Sequence, residues 1–136
     1  MFFEEKNKDE IEDLSKVAAL LIHAAKIDEK YSDHEEEIIK KTLSEIGAES
    51  MNVEKIIEKA KKIEADSNQI LEFTKKVKNM DEQNKLKIIE SLWKIIYSNK
   101  EADIYETSLM RRLAGLLYID NKIMGDIKEK IKNENS

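Results

Sequence analysis

The stretch Ile11-Glu-Asp-Leu-Ser-Lys-Val-Ala-Ala-Leu-Leu-Ile-His-Ala-Ala25 decides the fold class. Ile11, Leu14, Val17, Ala18, Leu21, Ile22 and Ala25 recur three and four residues apart, which lines them along one face of a helix from about residue 8 to 27. The same period returns six more times. Ser32-Asp33-His34-Glu35 has the form of a capping box, in which a Ser hydroxyl and a Glu carboxylate each satisfy a backbone N–H at a helix start. It opens a second helix carrying Ile38, Ile39, Leu43 and Ile46, and Gly47 suits the left-handed residue that closes a helix. A third helix uses Val53, Ile56, Ile57, Ala60 and Ile63, with Ser50 or Asn52 as its expected cap. A short fourth holds Ile70, Leu71, Phe73, Thr74 and Val77 and ends near Asn79.

Asp81 caps a fifth helix, from Glu82 to about Ser98, with Leu86, Ile89, Leu92, Trp93 and Ile96 facing inward. Asp103 begins a sixth, in which Leu109, Met110, Leu113, Ala114 and Leu117 face the core. Asp120 begins a seventh, where Ile119 and Met124 have the spacing of a hydrophobic staple and Ile123, Ile127 and Ile131 continue the stripe. The expectation is an all-α, compact bundle of about seven helices forming one domain over residues 8–132, with residues 1–7 and 133–136 as frayed tails.

Composition agrees with this pattern. The chain has 136 residues, no Pro and three Gly, so breakers are few and one hydrophobic core is the natural size. Twenty-four Lys and Arg face 29 Asp and Glu, a net charge of −5 that gives no general attraction to nucleic acid or anionic lipid. No Cys is present, which excludes disulfides, thiolate metal sites, Fe–S clusters and Cys nucleophiles. Met1 to Phe3 runs directly into the charged stretch Glu4–Asp13, so no signal-peptide core is visible, and Val17–Ile22 is the longest apolar run. These features point to a cytoplasmic protein without a membrane span.

A shift of 71 residues lays the first helix on the fifth and the second on the sixth: Leu21 meets Leu92, Ile22 meets Trp93, Asp28 meets Asn99, Ser32 meets Asp103 and Glu35 meets Glu106. This is the pattern of a duplicated helical hairpin. At each turn an Asx residue follows one helix, an oxygen-bearing cap stands four places on, and a Glu lies in the first turn of the next helix. Capping and the helix dipole account for such residues at about 1 kcal/mol each. The same oxygens could instead serve a hard cation, Ca²⁺ or Mg²⁺, although each turn supplies only two or three where Ca²⁺ takes six to eight. The spacing is not that of an EF-hand loop.

The pattern Ala25…Asp28…Ser32…Glu35, repeated as Asn99…Asp103…Glu106, resembles the twice-occurring acidic hairpin of the TerB family, the tellurite-resistance-type proteins. Leu92-Trp93, Asp103-Ile104-Tyr105-Glu106 and Leu109-Met110-Arg111-Arg112-Leu113-Ala114-Gly115-Leu116-Leu117 are similar to that family's C-terminal run. The resemblance spans roughly residues 14 to 131. It implies a seven-helix α domain, used also as an accessory domain in some J-domain co-chaperones, and a role in tellurite, metal or stress responses. It carries over a cation site at Asp28, Ser32, Glu35, Asn99, Asp103 and Glu106. The departures are Glu29 and Lys100 at the family's loop Gly and Asn99 at its second Asp.

Arg111 and Arg112 are the only arginines in a chain with 22 lysines. A planar fork suits bidentate pairing with a carboxylate, so one of them is expected to pair with an acid of the turn or a neighbouring helix, or else to recognise an anion or a partner. No Glu-x-x-His, zinc-protease, Gly-x-Ser-x-Gly or phosphate-loop motif occurs, so an enzyme is not expected. The readings that stand are a non-enzymatic TerB-like protein binding a cation at its acidic turns, and a helical module that docks a protein partner without metal.

Overall fold

A computed structural model describes residues 2–27, 31–66, 71–98 and 104–134, with side chains described from residue 8 and, in the last segment, from residue 106. Seven helices run in the order α1 (Phe2–Ala25), α2 (Asp33–Glu45), α3 (Val53–Asp66), α4 (Leu71–Lys78), α5 (Glu82–Tyr97), α6 (Ile104–Leu116) and α7 (Asn121–Glu134). A 3₁₀ turn, Ser50–Asn52, leads into α3, and there is no strand among the described residues. The fold is the all-α bundle expected.

Two helices form its centre. Between Val17 and Ala25 every α1 side chain except His23 is buried, on all sides rather than along one stripe. Four of these residues are Ala, which lets α2, α3, α4 and α5 all pack against α1. In α5 the stretch Ile88–Tyr97 is buried apart from Glu90 and Lys94, and α5 lies against α1, α2 and α7. The remaining helices wrap this pair and are amphipathic, with Ile39 and Leu43, Ile56 and Ile57, Phe73 and Val77, or Leu109 and Leu113 turned inward.

The internal repeat extends further than the hairpins. A shift of 71 residues carries α2 onto α6 end for end, Asp33 to Ile104 and Glu45 to Leu116. The buried positions follow it: Ala18 and Ile89, Leu21 and Leu92, Ile22 and Trp93, Ala25 and Ile96, Ile39 and Met110, Leu43 and Ala114. So do the helix ends. After α2, Ala48 N–H donates to Leu43 O at 2.9 Å and Gly47 N–H to Ser44 O at 3.2 Å; after α6, Ile119 N–H donates to Ala114 O at 2.9 Å and Tyr118 N–H to Gly115 O at 3.4 Å. Both are Schellman closures, which need a left-handed residue, and Gly47 (φ +107°) and Tyr118 (φ +56°) supply it. Beyond them Val53 matches Met124 and Ala60 matches Ile131, all buried, and α1 packs on α3 as α5 packs on α7. The chain is therefore two three-helix units, with α4 between them in sequence and packed against α1 and α6.

Several boundaries differ from the sequence reading. α1 starts at Phe2 and α7 runs to Glu134, because neither Gly nor Pro interrupts residues 2–10 or 126–134 and propagation from a packed segment is favourable. At the 3₁₀ turn that leads into α3, the Glu10 carboxylate of α1 reaches across, accepting from Glu49 N–H at 3.0 Å and from the buried Asn52 amide. Leu71 and Ile123 are exposed rather than inward, and Ile70 lies outside the described residues.

Candidate functional site

The first hairpin turn closes onto α2. Ser32 Oγ accepts from Glu35 N–H at 3.2 Å, and Glu35 Oε1 accepts from Ser32 N–H at 2.9 Å and from its hydroxyl at 3.0 Å. The capping box forms as its residues predict, with Glu35 only 2% exposed. A carboxylate so withdrawn from water needs such donors to remain charged. Its equivalent in the second unit, Glu106 in the first turn of α6, is 5% exposed. The expected partners Asp28, Asn99 and Asp103 lie outside the described residues. Of the six carried-over positions, the structure thus places Ser32, Glu35 and Glu106. Among the described residues, no three His, Asp or Glu side chains converge as a metal would require.

Beside the box stands an ion cluster that the sequence reading did not contain. Glu36 Oε1 accepts from Lys61 Nζ at 2.9 Å and from Tyr31 Oη at 3.3 Å, while Lys40 lies 3.7 Å from Glu36 and 2.8 Å from Glu54. Lys61 also lies 5.8 Å from the centre of the Tyr31 ring, so the α3 lysine clasps the end of the turn from two sides. The Lys61 hydrogen bond holds the Glu36 carboxyl below its ordinary range, against the opposing effect of burial. Burial, followed by the charge of Glu36, pushes the Tyr31 phenol well above its ordinary value. The i, i+4 pair of Glu36 and Lys40 was a local signal; Lys61, on another helix, had none.

Arg111 and Arg112 are both exposed, and neither forms an ion pair among the described residues. These side chains project from the outer face of α6, which their core-facing neighbours Met110, Leu113 and Ala114 leave to solvent, and the acids of the second turn that were their expected partners lie outside the described residues. Arg111 forms part of the wall of a cleft shared with Trp93 of α5 and Lys128 of α7. Trp93 and Met110 are buried, as their spacing predicts, and His34 is exposed.

The family model for tellurite resistance protein TerB matches residues 14–129. The chain belongs to the TerB family. The match takes in most of both three-helix units, and the seven-helix architecture fits the fold that the resemblance implied. No curated protein and no solved structure matches this TerB chain. Among its described residues no helix is long and apolar enough to cross a membrane.

Proposed function

We propose that this TerB chain is a non-enzymatic, cytoplasmic protein of tellurite resistance or a related metal-stress response, and that its two acidic hairpin turns take a divalent cation, Ca²⁺ or Mg²⁺. The observation carrying this reading is the TerB match over residues 14–129, whose description is tellurite resistance. It is supported by two carboxylates, Glu35 and Glu106, buried at equivalent turns of a duplicated unit. The remaining ligands would come from Asp28, Ser32, Asn99 and Asp103, with water completing the shell.

A ligand that binds only the folded chain must raise its melting temperature. Titration with Ca²⁺, Mg²⁺, Mn²⁺ and Zn²⁺ is expected to give a saturable rise with at least one hard cation, abolished by Asp28→Asn combined with Glu35→Gln. The absence of any rise would overturn the cation site.

The capping box favours a second reading, in which Ser32 and Glu35 serve the helix start alone and the bundle docks a protein partner without metal, as an accessory domain of a co-chaperone would. In that case the double substitution lowers stability equally with and without cation, and pull-down from metal-stressed cells recovers a specific partner.

A further inference from the structure

The second unit holds a buried polar group that its own packing does not satisfy. Trp93 is 2% exposed, and its Nε1–H is the only buried side-chain polar atom among the described residues without a hydrogen-bond partner. Native interiors satisfy nearly all such groups, so an orphaned indole N–H calls for a missing acceptor. The ring forms part of the wall of a cleft of about 170 Å³ between α5, α6 and α7, together with Arg111, Lys128, Asn121, Thr107 and Gly125. Lys128 Nζ lies 5.6 Å from the centre of the Trp93 ring.

The polar chemistry of this wall has one sign. Arg111 and Lys128 bring two cations beside the Trp93 ring, and among the described residues no carboxylate lines the cleft although the chain is acidic overall. The nearest acids along α7 and its cap are otherwise placed: Asp120 accepts from Lys122 N–H at 2.9 Å, and Asp126 and Glu129 do not line the cleft. Asn121, at the first position of α7, lines the opening beside the two cations. Arg111 is one of two arginines, and its fork is free of any carboxylate among the described residues.

We propose that this cleft is a binding site for a small oxyanion, a phosphate or carboxylate group, held by the Arg111 guanidinium and Lys128 ammonium with the Trp93 indole N–H beneath it. The two cations lose their mutual repulsion when an anion sits between them, and the indole gains its acceptor. The volume limits the buried part of the ligand to a few heavy atoms beyond the anionic group. The site has no counterpart in the first unit, where Ile22 occupies the position of Trp93.

Trp93 is the only tryptophan, so its fluorescence reports this cleft alone. The full chain is titrated with inorganic phosphate and, separately, with acetate at constant ionic strength; the two arms tell a phosphate from a carboxylate preference. A saturable emission change below roughly 10 mM is expected for at least one of them. Loss of a charge-assisted contact in Arg111→Gln or Lys128→Gln is expected to weaken it about tenfold or more, with Arg112→Gln within about twofold of the parent. Circular dichroism confirms that each variant is folded, and where Arg111→Gln is not, Lys128→Gln carries the comparison. No saturable change with either anion, or equal weakening by Arg112→Gln, overturns the site.

Discussion

The two left-handed residues at the helix ends are the clearest single-residue experiment in the molecule, because they occupy the same place in two copies. A Cβ built on Gly47 meets nothing within 4 Å, so the cost of a side chain there is backbone strain alone. Gly47→Ala should therefore lower stability by about 1–2 kcal/mol in urea denaturation. Tyr118 already bears that strain, the residue being 74% exposed and Lys78 Nζ 4.6 Å from the centre of its ring. Tyr118→Gly relieves about 1 kcal/mol of strain but gives up a cation–π contact of about 0.5 kcal/mol and adds unfolded-state entropy of similar size. Its expected net effect is within about 0.5 kcal/mol of zero. Ser32→Ala, which removes one arm of the capping box, should cost about 1 kcal/mol, whereas Ser32→Gly should cost only a few tenths. All four variants are read from the same denaturation midpoints.

At the scale of elements, the helices join through polar groups as well as apolar faces. Thr42 of α2 donates to Ile38 O at 2.8 Å, and its Oγ1 is in close contact with the buried hydroxyl of Ser91 on α5. With the Thr42 proton committed to the Ile38 carbonyl, Ser91 is the donor of the pair. Thr42→Val should then strand a buried hydroxyl and cost about 1–3 kcal/mol. Thr42→Val with Ser91→Ala should cost less than the sum of the two single changes by about 1 kcal/mol, measured as a double-mutant cycle. Agreement with simple addition would show that the pair contributes nothing.

What could be read in advance follows from the range of the interaction. The Ser32–Glu35 box, the Asp81 cap that receives Asn84 N–H at 2.8 Å and the Gly47 closure lie within a few residues, and their spacing carries them. The Thr42–Ser91 contact spans 49 residues and the Glu10–Asn52 contact 42, so no local pattern announces them. Asn52 looks like a cap from its neighbours, and nothing near it in sequence announces that its amide also donates to a carboxylate from another helix. The same holds for the candidate sites. Glu35 was legible as a capping acid, but the cleft of Trp93, Arg111 and Lys128 exists only once three helices are packed. Trp93 reads from sequence as ordinary core because burial and periodicity are indifferent to an unsatisfied N–H.

For the molecule as a whole, pH separates the contribution of the α2–α3 ion cluster from that of the apolar core. Glu36 is held below its ordinary pKa chiefly by Lys61, so its contribution is present above the unfolded carboxylate value of about 4.3 and is lost as pH falls through the lower folded value. Lys61 is held above its ordinary value, chiefly by the hydrogen bond to Glu36. Its contribution is complete below the unfolded value of about 10.4 and disappears as pH rises through the folded one. Tyr31, raised first by burial, adds to the alkaline loss because ionising it in the folded chain places an anion beside Glu36. Stability should therefore be flat between about pH 5 and 9 as far as this cluster is concerned, and fall on both sides. Both partners are partly solvated, so Glu36→Gln should cost no more than about 1 kcal/mol at neutral pH and less at high salt. The diagnostic is the shape of the curve: the variant should show a shallower fall below pH 5, measured from urea midpoints at matched ionic strength. A parallel acid limb in Glu36→Gln would mean that α2 and α3 are held together without help from this cluster.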